Sequence, residues 1–265
     1  MAFIYNTSFY LILLTTKSFI SSNYTVSEFG YFTFSYSLAN VVLLLLNSIS
    51  FLIFPKMLNR FATSSNEQIA KILTGLRSAY ISLSHLLIHF VIMVFPLFLL
   101  FFPDYSESSS VFKVTALTIV LYTNSFGYQG VLMAKGKEKL IGHIAIGALI
   151  LNIVLSAILV HFVNVSFNFV ILSTLITYLI YVTVIGKFGM SILKMSSNFL
   201  STIKNVYPWR MMIPFIISLL FVFLETPEWF FMVPFVLYLF LNWKEIFGLK
   251  LMFLKVVNNP NFINI

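Results

Sequence analysis

The sequence contains no cysteine and only 8 acidic residues among 265. The first absence excludes disulfides and thiolate metal centres, and it leaves the redox compartment unspecified. The second leaves acid–base chemistry short of groups, because every acidic residue falls in a loop or at the edge of an apolar run. Charge of either sign is scarce: Asp, Glu, Lys and Arg make up 9% of the chain, against roughly 25% in soluble domains. So little polar surface cannot coat a water-soluble globule of this length. A soluble enzyme, a disordered region and a nucleic-acid-binding domain are excluded. A signal peptide is also a poor fit. No basic residue precedes the first apolar run, and Lys17 stands where small residues would mark a cleavage site.

What is present is apolar side chain, 60% of the total. A helix crossing roughly 30 Å of hydrocarbon needs about 20 such residues. Apolar runs fall at about 3–22, 29–54, 79–102, 111–134, 141–163, 167–185, 211–224 and 229–243. Glu225, Pro227 and Glu228 separate the last two, short enough to form a hairpin instead of two full spans. The expected fold is an all-α polytopic membrane protein with about eight transmembrane helices. A single anchor carrying a large soluble head is excluded.

The net charge of +8 is dispersed between the runs, which fits membrane orientation better than nucleic acid. Lys56, Arg60, Lys71 and Arg77 share one connection, Lys135, Lys137 and Lys139 another, and Lys187, Lys194, Lys204 and Arg210 a third. Lys244, Lys250 and Lys255 follow the last run. The alternate connections carry Glu28, Asp104, Glu107, Glu225 and Glu228. Cations accumulate on the cytoplasmic side, so both termini are expected there, in agreement with an even number of spans. In the connection 55–78, Ser64 and Glu67 stand at capping-box spacing, and Ile69, Ile72, Leu73 and Leu76 recur with helical period. This segment, about 64–78, reads as an amphipathic helix in the cytoplasmic interface or as an extension of the third span.

Polar residues inside apolar runs are the functional clues, because hydrocarbon tolerates them only where they face protein or water. Thr115, Thr118, Tyr122, Ser125 and Gln129 fall within an arc of about 80° on the fourth run, at 100° per residue. Ser37, Asn40, Asn47 and Ser48 fall within about 100° on the second. Ala148, Asn152 and Ser156 make a small-and-polar ridge on the fifth, read as helix packing. The other two stripes are open between packing and a water-filled cavity. Lys17 lies inside the first run with Asn6, Tyr10 and Leu13 on its face, and either snorkels to the outer boundary or binds an anion. Lys113 is expected to snorkel. His85 and His89, one turn apart, lack a third ligand in the sequence, so no metal site is assigned.

Four segments in order resemble the oligosaccharide-lipid flippases of the multidrug/oligosaccharidyl-lipid/polysaccharide exporter (MOP) superfamily, nearest to the Wzx type. SEFGYFTFSYSLANVV (27–42) is similar to an outer loop entering a helix, and ISFLIFPKML (49–58) to a helix ending in phenylalanine-proline-lysine. MAKGKEKL (133–140) resembles the short basic turn between two helices, and LNIVLSAILV (151–160) the asparagine-bearing helix after it. The sequence departs from the family at Thr16-Lys17, where an acidic-basic pair is usual, and at the glycine-free turn Val163-Asn164-Val165-Ser166.

The resemblance implies the second half of a fourteen-helix flippase. Residues 1–185 would be a six-helix lobe, and 186–265 a cytoplasmic linker, two further helices and a short tail. It implies flipping of an undecaprenyl-diphosphate-linked oligosaccharide across the bacterial cytoplasmic membrane for O-antigen or capsule assembly. The partners would be that lipid-linked oligosaccharide, membrane lipids, and a missing N-terminal lobe or a second copy of the chain. Cavity candidates are Lys17, Asn40, Asn47, Thr118, Tyr122 and Gln129, with no catalytic residue and no cofactor. The alternatives are a membrane-embedded glycan-assembly enzyme, such as an O-antigen polymerase, and a packing remnant of a transporter. The orientation has a direct test. A periplasm-dependent phosphatase fused within 103–110 should be active, and the same fusion within 135–139 inactive.

Overall fold

In a computed structural model describing residues 2–248, every regular element is helical. In chain order these are α1 (Ala2–Asn23), α2 (Val26–Thr63), α3 (Asn66–Phe101), α4 (Ser109–Thr123) and α5 (Tyr128–Ala134). Then follow α6 (Glu138–His161), α7 (Leu172–Ile192), α8 (Phe199–Val206), α9 (Trp209–Phe223) and α10 (Met232–Leu241). Short 3-10 turns occupy Pro103–Ser108, Phe167–Phe169 and Glu228–Phe231. Four stretches are long and apolar enough to cross a membrane: Val26–Ser48, Asn66–Phe101, Glu138–Phe162 and Phe167–Ile192. The pair α8 and α9, bent by 77°, makes a fifth if counted as one span. These helices mark the chain as a membrane protein. The fourth expected run is divided between α4 and α5, and the eighth forms only the short α10. Of the basic tail Lys244 is described, and Lys250 and Lys255 lie outside the described residues.

Capping decides where α2 and α3 begin. Thr25 accepts from the Glu28 amide at 3.3 Å while the Glu28 carboxylate accepts from the Thr25 backbone at 2.8 Å. Ser65 and Gln68 do the same for α3, one residue later than the expected Ser64 and Glu67. Ser64 is already engaged, since its amide closes α2 on the Arg60 carbonyl at 3.0 Å. From Asn66 the helix runs unbroken for 36 residues, about 54 Å at 1.5 Å per residue. Residues 66–78 are therefore continuous with the rest of α3 and do not form a separate helix. Their apolar side is covered by protein, because Ile69 and Leu73 are buried and Asn66 Nδ2 donates to the Ile192 carbonyl of α7 at 3.0 Å.

The core is organised around α4, which is buried on every side between α2, α3, α7 and α9. Lys113 does not snorkel. Its Nζ is buried 2.7 Å from Glu228 and 4.2 Å from the Phe231 ring centroid. Ser109 donates to the same carboxylate at 2.6 Å. On the other flank Ala148, Asn152 and Ser156 are buried against α7. Ser156 bonds Ser173 at 2.9 Å, and Thr16 of α1 bonds Thr174 at 2.8 Å. With its amide turned to satisfy both ends, Asn152 donates to the Ile12 carbonyl at 3.0 Å and accepts from the Thr174 hydroxyl at 3.2 Å. The ridge is a packing seam joining α1, α6 and α7, as small and polar residues make between apolar helices.

Arg77 is placed differently from its expected loop position. It is 5% exposed, inside α3, and its Nη1 donates to the carbonyls of Asn124 and Phe126 at 2.7 and 2.6 Å. Its Nη2 reaches the Asn205 carbonyl at 3.3 Å, and the guanidinium stacks 4.0 Å from the Tyr128 ring centroid. Those carbonyls belong to the end of α4, the break after it and the end of α8. The break turns on Gly127, whose φ of +84° and contacts with Leu73 and Arg77 leave no room for a Cβ. Residues past 186 pack directly on the first six runs. The Tyr207 hydroxyl donates to the Leu179 carbonyl at 2.7 Å, and the Tyr238 hydroxyl donates to the Ser82 carbonyl at 2.6 Å. Arg77→Leu strands three carbonyls and should destabilise by on the order of 3 kcal/mol, read as a lowered thermal transition in detergent. Arg77→Lys should recover only part, because an ammonium lacks the planar fork that spans two carbonyls.

Candidate functional site

The break after α4 also shapes a cavity of about 380 Å³ between α2, α3 and the α4–α5 turn. Its polar lining is Asn47, Ser50, Tyr122, Thr123, Ser125 and Gln129, with Phe51, Phe54, Pro55, Tyr80 and Phe126 as apolar wall. Pro55 lies inside α2 and has no amide hydrogen, so the Phe51 carbonyl loses its helical partner beside the cavity. Gly130 lets α5 close on α2, since a Cβ there would meet Met57 and Phe54. Tyr80 and Phe126, both in the lining, stack with ring centroids 4.0 Å apart. Hydroxyls, amides and aromatic rings converge in one recess, the chemistry that binds polyhydroxylated molecules through hydrogen bonds and ring contact.

Three of the six expected cavity residues come together here: Asn47, Tyr122 and Gln129. They do so for a reason helical periodicity does not contain. Tyr122 and Gln129 lie on opposite sides of Gly127, so the turn and not a continuous helical face brings them together. Thr118 is buried in α4, its hydroxyl donated to the Val114 carbonyl at 2.8 Å, and it does not line the cavity. Asn40 is half-buried, seven residues before Asn47 and so about 10 Å away along α2. Lys17 is remote. Its Nζ sits 5.7 Å from the Phe29 ring centroid, and Phe29 is 18 residues before Asn47, about 27 Å along the same helix. Asn6 and Tyr10, expected on its face, have side chains outside those described.

The α2 stripe is otherwise exposed. Ser37 and Ser48 turn their hydroxyls back onto the carbonyls of Thr33 and Leu44 at 2.8 and 2.9 Å, which satisfies them within the helix. Asn47 is exposed, among exposed Val41, Leu44, Leu45 and Phe51. The histidine pair has a packing role that its sequence spacing does not reveal. His85 and His89 are buried, with centroids 6.1 Å apart, and both rings lie against Tyr238 of α10. Ser218 of α9 approaches His89 Nδ1 at 3.4 Å. Among the described residues no cluster of three or more His, Asp or Glu side chains could hold a metal.

Fold and site together define a class: an all-helical membrane protein with an uncharged polar recess beside a broken helix. No protein-family model matches the chain, and no curated protein and no solved structure matches it. The absence of native cysteine makes the recess directly testable. Cysteine introduced at Asn47 or Gln129 should react with a water-soluble maleimide in membranes. At Thr118 or Asn152, both sealed in the core, it should remain unlabelled until the protein is unfolded.

Proposed function

We propose that this chain forms one side of a translocation path for an undecaprenyl-diphosphate-linked oligosaccharide across the bacterial cytoplasmic membrane. The observation that carries the reading is the recess of about 380 Å³ lined by Asn47, Tyr122, Ser125 and Gln129. Sugar hydroxyls lose their hydration in hydrocarbon, and a path for them must replace those hydrogen bonds. Amides and hydroxyls do so reversibly, while aromatic rings such as Tyr122 offer a face to the pyranose. No covalent step is needed. The resemblance of segments 27–42, 49–58, 133–140 and 151–160 to MOP-superfamily flippases points to the same cargo. Eight spans with both termini cytoplasmic is the topology that goes with this reading.

The chain acts as a partial transporter in this proposal. Among the described residues Asn47 is exposed and Asn40 half-buried on one face of α2, and side-chain amides on a spanning helix need water or a partner helix. A second lobe facing α2, supplied by another polypeptide or another copy, would turn the open recess into an enclosed path. Alternating access then follows from rocking one lobe against the other.

Complementation tests the proposal. In a flippase-deficient strain the chain together with a matching N-terminal lobe should restore glycan export. Gln129→Leu should lower export about fivefold for the loss of one hydrogen bond of roughly 1 kcal/mol, with insertion unchanged. Full export by the chain without any partner, and as a monomer, would sink the partial-transporter reading. Unaltered export in Gln129→Leu and Asn47→Leu would remove the recess from the path.

A further inference from the structure

A second cleft, of about 210 Å³, opens where α3, α8 and α9 meet, and its lining includes Arg77, Ser78, Lys204, Asn205, Arg210 and Glu245. Three cations face one carboxylate. Arg210 is paired with Glu245 at 3.2 Å, so Arg77 and Lys204 leave the cleft with an unbalanced positive charge. Arg77 is held rigidly by three carbonyls, yet a guanidinium carries five N–H groups, so donor capacity remains. Asn242 also lines the cleft. It is buried with its Nδ2 donated to the Arg210 and Tyr238 carbonyls, while its Oδ1 has no hydrogen-bond partner. The cleft therefore brings together a rigidly held guanidinium, the exposed Lys204 ammonium and an unmet acceptor.

Its setting specifies where the ligand comes from. The 77° bend between α8 and α9 lays α8 across the foot of a span, along the membrane surface if α9 is upright. Phe199 and Leu200 are exposed at one end of α8 and Lys204 at the other, the pattern of a helix resting in the headgroup layer. Trp209, which opens α9, and Trp243, which follows Asn242, are exposed, as residues of the membrane–water boundary are. We propose that this cleft binds the headgroup of an anionic phospholipid, the phosphodiester lying between Arg77 and Lys204 and a headgroup hydroxyl donating to Asn242 Oδ1. The bound lipid would clamp α8 against α3 and steady the foot of α9. This inference stands on the cleft and is independent of what the chain transports.

The test uses the full chain in detergent, with retained lipid read by native mass spectrometry. Phosphatidylglycerol should be retained in preference to phosphatidylcholine. Lys204→Gln and Arg210→Gln should each weaken retention about fivefold, the effect of one cation near a headgroup. Lys139→Gln removes the same charge from an exposed position outside the cleft and should change nothing. Equal losses for Lys139→Gln and Lys204→Gln, or no preference between the two lipids, would overturn the site. Inorganic phosphate binding in a Lys204-dependent manner, with no lipid retained, would overturn the lipid assignment and make soluble phosphate the ligand. Because Arg77 also holds the fold, the test rests on Lys204 and Arg210.

Discussion

A helix that stops inside apolar protein leaves carbonyls without partners, and the rest of this structure depends on how Arg77 meets them. The α4 helix ends inside the molecule, with Thr123, Asn124, Ser125 and Phe126 all buried. A guanidinium from α3 takes over the carbonyls of Asn124 and Phe126, and a third from the end of α8. Burying an unpaired charge is expensive, but this cation is surrounded by carbonyl dipoles and the face of Tyr128. The same contact permits the turn at Gly127, and the turn creates the recess. One charged side chain thus connects the core, the linker after α7 and the candidate site.

Two further polar arrangements divide the remaining work. The Thr16–Thr174–Asn152 chain and the Ser156–Ser173 pair join α1, α6 and α7 without any charge. The Lys113–Glu228 pair, with Ser109, joins α4 to the turn before α10. Between apolar helices in a bilayer, burial of apolar area favours no particular neighbour, since lipid is as apolar as leucine. Hydrogen bonds and ion pairs supply what selects the partner. The polar residues of this sequence are few, and several of those in its core fasten one helix to another.

Much of the helical content was legible in the sequence because apolar runs of about 20 residues have few alternatives. The packing ridge of Ala148, Asn152 and Ser156 was legible too, since four-residue spacing puts small groups on one face. The stripe on 111–134 was only half legible. Periodicity assumes a continuous helix. Thr115 and Thr118 share α4 with Tyr122 but are buried farther along it, while the break at Gly127 brings Gln129 of α5 beside Tyr122 at the recess. Lys113 and Arg77 were misplaced for a common reason. A cation near the end of an apolar run reads as surface-seeking, and only the position of Glu228 or of a stray carbonyl shows otherwise. His85 and His89 carried a spacing signal whose meaning, packing against Tyr238, lies in a segment about 150 residues away.

By itself, the sequence determined that this is a helical membrane protein, because 60% apolar and 9% charged side chains permit no water-soluble alternative. It also determined the approximate segments, since each backbone polar group in hydrocarbon must be satisfied within its own helix. Tertiary structure alone decided which polar groups are fasteners and which line a recess. That distinction depends on where a helix breaks and which carbonyls the break exposes, and both follow from contacts between residues far apart in the chain. Arg77 and Asn124 are 47 residues apart, and Lys113 and Glu228 are 115 apart. No local pattern encodes such pairs, because their energy exists only once the helices have met.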